Sequence, residues 1–253
     1  MKKTILSIML LALVLPFTSC KDEETIKPQS VVFETDFNKA ADSKVLYAFE
    51  DLMPNVDGWT AFFTEYPDGE QTFYELTSGI RNLPEPLDQT KKAYMLSGNN
   101  HSDALQMWLV KQLSGLTPNT KYLVETEVEL ASKYPDGSVG IGGSPGNSVH
   151  LVNKFATKGY TTPKGKNEGD NIKLVLNKVE NTPESVLEYE LGDVTISGDQ
   201  YVYKLISRKK SSGTSVIQSD NDGKLFAIVG TWSGFEGIST LYYTRIKITL
   251  TQK

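Results

Sequence analysis

The sequence predicts an all-β protein: an antiparallel two-sheet sandwich of jelly-roll type. Three observations point there. The dominant hydrophobic period beyond residue 30 is two, the signature of strands with one buried face. The intervals between those runs carry hairpin-turn chemistry. Only Ser43 to Leu52 has helical spacing, with Val45, Ala48, Phe49 and Leu52 at i, i+3, i+4 and i+7 behind a Ser43 cap.

The strands follow in order. Runs over 59–65, 71–77, 93–97 and 104–111 come first. Next is Tyr122-Leu123-Val124-Glu125-Thr126-Glu127-Val128-Glu129-Leu130, where Tyr122, Val124, Val128 and Leu130 share one face and the three glutamates the other. A helix would scatter those glutamates. Further runs lie at 148–156, 172–179, 186–196, 201–208 and 225–232. The last, Tyr242 to Leu250, turns Ile246, Ile248 and Leu250 inward and Arg245 and Lys247 outward. Between them sit Tyr66-Pro67-Asp68-Gly69, Thr117-Pro118-Asn119, Tyr134-Pro135-Asp136-Gly137, Ser197-Gly198-Asp199 and Asn221-Asp222-Gly223. The Tyr-Pro-Asp-Gly pair has unlike flanks, so shared turn chemistry explains it better than duplication. Residues 157–171, rich in Gly, Lys and Thr, read as a long exposed loop. About a dozen antiparallel strands without regular helices need two stacked sheets to bury their inner faces.

Ahead of this domain, residues 1–19 read as a cleaved leader: Lys2 and Lys3, an apolar run from Ile5 to Val14 and Leu15, then Pro16-Phe17-Thr18-Ser19 before Cys20. The apolar run is about 11 residues, against the roughly 20 that a bilayer-spanning helix needs. Cys20, the single cysteine of the chain, resembles the lipid-bearing cysteine of bacterial lipoproteins. That resemblance implies acylation, palmitate included, and a membrane contact through lipid alone. Lys21-Asp22-Glu23-Glu24 resembles the export signal of Gram-negative lipoproteins displayed on the outer surface of the outer membrane. Residues 20–30 then form a polar tether, and 31–253 a single domain.

Composition excludes several function classes. Formal charge is −5, and removal of Lys2 and Lys3 with the leader leaves 24 bases against 31 acids, or −7. Nucleic acid is therefore not expected as a partner, since phosphate binding needs a concentrated basic face. One Cys and two His leave no Cys/His zinc cluster and argue against a His-dependent triad. Neither a metal nor a cofactor is expected.

Several motifs have the outline of sites. Gly142-Gly143-Ser144-Pro145-Gly146 satisfies G-x-S-x-G, yet Pro145 lacks the N–H an oxyanion hole takes from that position, and no helix follows. It reads as a glycine-rich turn. Asp220-Asn221-Asp222-Gly223 lacks the spacing of a calcium loop and reads as an Asx-type hairpin turn. The Glu125, Glu127 and Glu129 stripe reads as a solvated face. Gly98-Asn99-Asn100-His101-Ser102-Asp103 concentrates amide, imidazole and carboxylate before a strand carrying Gln106 and Trp108. Gly230-Thr231-Trp232-Ser233-Gly234-Phe235-Glu236-Gly237 sets aromatics and an acid among glycines. An indole can stack on the C–H face of a sugar while amides and carboxylates bond its hydroxyls. Asn99, Asn100, His101, Asp103, Gln106, Trp108, Trp232 and Glu236 are thus the expected contacts for a glycan or polysaccharide.

Leu113 to Tyr122 and Thr240 to Ile246 resemble the central turn and last strand of carbohydrate-binding-module-like, galactose-binding-like jelly rolls. The resemblance bears on the fold more than on the function, and with the polar clusters the leading expectation is glycan binding without catalysis. Many such modules place a calcium-holding Asp about where Thr244 stands, and that departure argues against the ion. The clusters at 101–103, 140–146 and 234–237 resemble a family of secreted bacterial jelly-roll proteins, a resemblance that brings no activity with it. Two alternatives stand beside glycan binding. A jelly-roll glycoside hydrolase or lyase would use Asp103 and Glu236 as its paired carboxyls. A structural or adhesin subunit of a surface complex would instead show a large apolar patch. The lipid reading is directly testable: Cys20→Ser should release the protein from the membrane fraction, and unchanged membrane retention and gel mobility would refute it.

Overall fold

The computed structural model describes residues 29–40, 46–47, 55–165 and 169–253. The leader and Cys20 lie outside them. So does most of the segment read as a helix at 43–52, although Leu46–Tyr47 is extended and pairs with Ser78 and Thr77.

The strands are β1 Ser30–Asp36, β2 Leu46–Tyr47, β3 Thr60–Thr64, β4 Thr77–Asn82, β5 Lys92–Asn99, β6 Gln106–Leu113, β7 Lys121–Ser132 and β8 Tyr134–Pro135. They continue as β9 Val149–Ala156, β10 Tyr160–Thr161, β11 Val175–Leu176, β12 Val186–Asp193, β13 Thr195–Ile196, β14 Lys204–Gln218, β15 Leu225–Ser233 and β16 Ile238–Gln252. One sheet has seven strands in the order β14-β7-β16-β5-β4-β2, with β1 also on β16, and the other five in the order β12-β9-β15-β6-β3. Pairing within both is antiparallel. The chain crosses between the sheets repeatedly, as at β3 to β4, β5 to β6, β6 to β7, β14 to β15 and β15 to β16, so the predicted two-sheet sandwich is the observed fold.

The core forms where the period-two patterns meet. Tyr122, Val124, Val128 and Leu130 of β7 and Ile246, Ile248 and Leu250 of β16 are buried against Met107, Leu109, Leu151, Phe155, Ala227 and Val229 of the opposite sheet. A polar bridge crosses this interior. The Asn153 amide donates to Thr126 Oγ1 at 2.8 Å, and that hydroxyl lies 3.1 Å from the Tyr189 phenol.

Three strand readings are corrected. Residues 71–75 coil instead of extending: Tyr74 N–H bonds Glu70 O and Leu76 N–H bonds Gln71 O, at 2.9 and 3.1 Å, and Glu75 takes φ 50°. The strand there is β4, whose Thr77-Ser78-Gly79 start has no apolar alternation to announce it. Of 172–179 only Val175–Leu176 forms a strand, paired with Tyr160–Thr161, while Val179 makes an isolated bridge to Thr182. The run read at 201–208 starts at Lys204 and continues to Gln218 through a register shift between Ser211 and Val216. The Asp220 turn is as read: its carboxylate accepts from the N–H groups of Asp222 and Lys224 at 2.9 and 2.7 Å.

The outer face of the five-stranded sheet carries a second apolar layer. Trp108, Val110, Val152 and Ile228 are covered by Phe62, Tyr160, Leu174, Leu176 and Phe226, so part of the loop expected to be exposed is a lid on that face. Trp108 is 0% exposed. Its indole N–H donates to Thr64 Oγ1 at 3.1 Å, Lys154 Nζ lies 5.2 Å from its ring centroid, and its ring covers Gly230, where a Cβ would collide with it. The expectation that Trp108 contacts a ligand is corrected, because no surface of the ring is left to touch one. Trp108→Ala should cost about 3–5 kcal/mol, a melting-temperature loss of roughly 6 °C or more in a domain of this size. A thermal shift under 2 °C would contradict the assignment.

Candidate functional site

Asn100 builds the candidate site. It is 2% exposed and all four of its amide hydrogen-bonding positions are filled. Nδ2 donates to Ser233 O at 2.9 Å and Phe235 O at 2.8 Å, while Oδ1 accepts from Ser102 N–H and Leu105 N–H, both at 3.2 Å. Its backbone N–H reaches Gly237 O at 3.0 Å. The amide therefore splices the 98–105 loop to the 233–237 turn. With no donor or acceptor left over, Asn100 is withdrawn as a ligand contact.

The glycine-rich segment joins the same junction. Ile141 pairs with Glu236, and Gly234 N–H bonds Ser148 O at 2.9 Å. A Cβ on Gly142 would lie 3.0 Å from Glu236 Cγ and 3.3 Å from Asp103 Oδ1. Gly142 sits at φ 69°, a left-handed conformation that glycine adopts without strain. Asp103 and Glu236, 133 residues apart in sequence, thus flank one glycine. Ser144 is spent on its own turn: its hydroxyl accepts from Gly146 and Asn147 N–H at 3.3 and 3.2 Å, and its N–H bonds Ser148 Oγ at 3.0 Å.

Trp232 lies on the open part of the outer face. Cross-strand register sets Thr64, Gln106, Trp232 and His150 in one row, with Glu190 at its end through a 2.9 Å contact to His150 Nδ1. Trp232 is 40% exposed. The His150 ring stacks beside it with centroids 5.0 Å apart and planes at 28°. Gln106 Oε1 accepts from Thr64 Oγ1 at 3.1 Å, which orients the amide. An exposed indole flanked by an amide, an imidazole and a carboxylate can stack on an apolar ring face while bonding hydroxyls around its rim.

Asn99 and His101 turn to the other side of the loop. Asn99 Nδ2 donates to Glu75 Oε1 at 2.9 Å. His101 stacks on the exposed Phe73 ring at 4.1 Å, with Nε2 3.1 Å from Phe73 O. The structure brings Asn100, Asp103 and Glu236 together at the loop junction and sets Gln106 beside Trp232. His150 and Glu190 were not anticipated. Alternation along β9 could have put His150 on the face of Val152 and Lys154, but only the β15–β9 register sets it against Trp232.

No protein-family model matches the chain, and no curated protein matches it in sequence. In fold, the chain is similar to a carbohydrate-binding module, TmCBM27, described for specific mannan recognition (10% identity, 87% of this chain, 98% of that one, TM-score 0.36). It is also similar to an apo cyclase from Fischerella sp. (13%, 87% and 96%, TM-score 0.37) and to the K1 cleaved adhesin domain of Lys-gingipain from Porphyromonas gingivalis W83 (10%, 86% and 97%, TM-score 0.31). Overlaps this loose transfer neither a site nor a ligand.

Removing the splice should loosen one end of the sandwich. Asn100→Ala leaves two buried carbonyls and two N–H groups short of a partner, at about 1–3 kcal/mol for each that stays unsatisfied. Hydrogen exchange should accelerate at 100–105 and 233–237 and stay slow in β7. Equal acceleration throughout would remove the local role given to this side chain.

Proposed function

We propose that the protein is a lipid-anchored glycan-binding protein of the Gram-negative outer membrane, facing the cell exterior and binding without turnover. The observation that carries the binding reading is the exposed Trp232 ring, set in a row with Gln106, His150 and Glu190. A sugar ring laid on the indole would present its equatorial hydroxyls to the Gln106 amide and the Glu190 carboxylate. Asp103 and Glu236 lie beyond Trp232, at the junction that its own strand enters, where a longer chain would pass.

The direction of the chain supports display. Gln252 N–H bonds Gln29 O at 3.0 Å, whereas Ile238 pairs with Asn99. A strand of this length rises roughly 45 Å at 3.3 Å per residue, so a tether from Cys20 would enter at the end opposite the loop junction. The junction would then point away from the lipid.

A second reading, an adhesin or structural subunit, is favoured by Val139 and Ile141, which are 91% and 73% exposed. Glycan-array binding followed by titration separates the two. Trp232→Ala should weaken binding about fivefold, the equivalent of roughly 1 kcal/mol of lost stacking, with the melting temperature held within 2 °C. Wild-type affinity in that variant would rule out the Trp232 platform.

A further inference from the structure

The opposite face of the sandwich carries a separate aromatic strip. Alternation along β16 turns Ile238, Thr240 and Tyr242 outward from the seven-stranded sheet, where Thr240 and Tyr242 register with Ser97 and Met95 of β5. Ser97 and Thr240 share a 2.7 Å hydroxyl contact. Tyr203 meets Tyr242 edge-on, with centroids 5.4 Å apart and planes at 89°. Both rings stand over a floor of buried Ala93, Ala131 and Leu83. Tyr201, two residues before Tyr203, is 57% exposed. Burial raises the Tyr203 and Tyr242 phenols above their ordinary range, while Arg81 pulls Tyr242 the other way. The two phenols also share a hydrogen bond, which raises Tyr203 and lowers Tyr242.

The charges against these rings are cationic in a protein whose net charge is negative. Lys133 Nζ sits 5.5 Å from the Tyr203 ring centroid, and Arg81 is the charged group acting on Tyr242. The strip runs on, past Leu83 and Leu205, into a cleft of about 210 Å³ also lined by Lys91, Lys92 and Arg245. Two acids share that cleft, and Asp88 acts on Lys91 beside it. Glu129 Oε1 accepts from Thr244 Oγ1 at 2.7 Å, and Asp36 accepts from Asn38 N–H and lies 3.8 Å from Lys39. Arg245 is paired with Glu127 and Glu34.

We infer that this strip is a second binding surface, for a saccharide chain bearing carboxylate or sulfate groups, with Tyr201, Tyr203 and Tyr242 as ring platforms and Lys133 as an anion contact. Flat rings bordered by hydroxyls suit sugar faces, and the cation supplies what a neutral glycan does not need. A peptide would have to bury apolar side chains, and the floor beneath the rings is already filled.

The inference does not depend on the Trp232 site, and the experiment separates them. The purified protein is titrated with oligogalacturonate, oligoalginate and a heparin-derived oligosaccharide at low and high salt. Binding of at least one is expected, weakening tenfold or more between 50 and 500 mM salt as exposed charges are screened. Tyr201→Ala and Lys133→Gln, both on the surface, should each weaken it at least threefold with unchanged melting temperature, while Trp232→Ala leaves it unaltered. The inference is overturned if none of the three probes binds. Binding indifferent to both strip variants, or abolished by Trp232→Ala alone, would overturn it equally.

Discussion

The architecture depends on one strand that is hydrogen-bonded along both edges. Strand β16 pairs with β7 on one edge, and on the other with β5 and β1 laid end to end, Ile238 to Tyr243 against β5 and Arg245 to Thr251 against β1. The register slips between Tyr243 and Arg245, where β5 gives way to β1. Thr244, the residue skipped, sets its hydroxyl 3.0 Å from Glu129 O. A strand fixed this way cannot slide by one residue without moving Ile246, Ile248 and Leu250 out of the core. Its length also sets the loop junction and the entry of the chain at opposite ends.

The two tryptophans on the outer face of the five-stranded sheet show how neighbours decide a side chain's use. Trp108 and Trp232 point the same way from adjacent rows. Trp108 lies over Gly230 and under Tyr160, Leu174 and Leu176, so the ring becomes packing. Trp232 stands one row nearer the loop junction, and it keeps two-fifths of its surface. Substituting Gly230 would strike the Trp108 ring and the Met107 carbonyl together, so the absence of a side chain there is what lets an indole lie flat against the sheet.

Alternation made the core legible in sequence, because burial on one face of a strand writes a period of two that needs no knowledge of partners. Strands outside that rule stayed hidden. Strand β1 is not announced by a longer run, although its Val31, Phe33 and Thr35 alternate; β4 opens on Thr77, Ser78 and Gly79; and β14 beyond Arg208 is mostly exposed until Val216. The site was legible as polar clusters but not as geometry. Asn100 in a polar loop looks like a free amide, and only the closure of 233–237 onto it reveals four bonds already made. Likewise His150 and Trp232 are 82 positions apart, and stacking between them is a property of register.

Charge shows the same limit from the other direction. Two glutamates of the β7 stripe, read as merely solvated, are ion-paired across the sheet, Glu127 with Arg245 and Glu125 with Lys209 at 2.9 Å, while Glu129 accepts from the neutral Thr244 hydroxyl and keeps its charge. Exposed pairs of this kind contribute roughly 0–1 kcal/mol each, so stability is not their main consequence. They cancel much of the acidity that a residue count assigns to this face. Lys133, set against the Tyr203 ring, shows that a chain with a net charge of −5 can still place a cation on the aromatic strip.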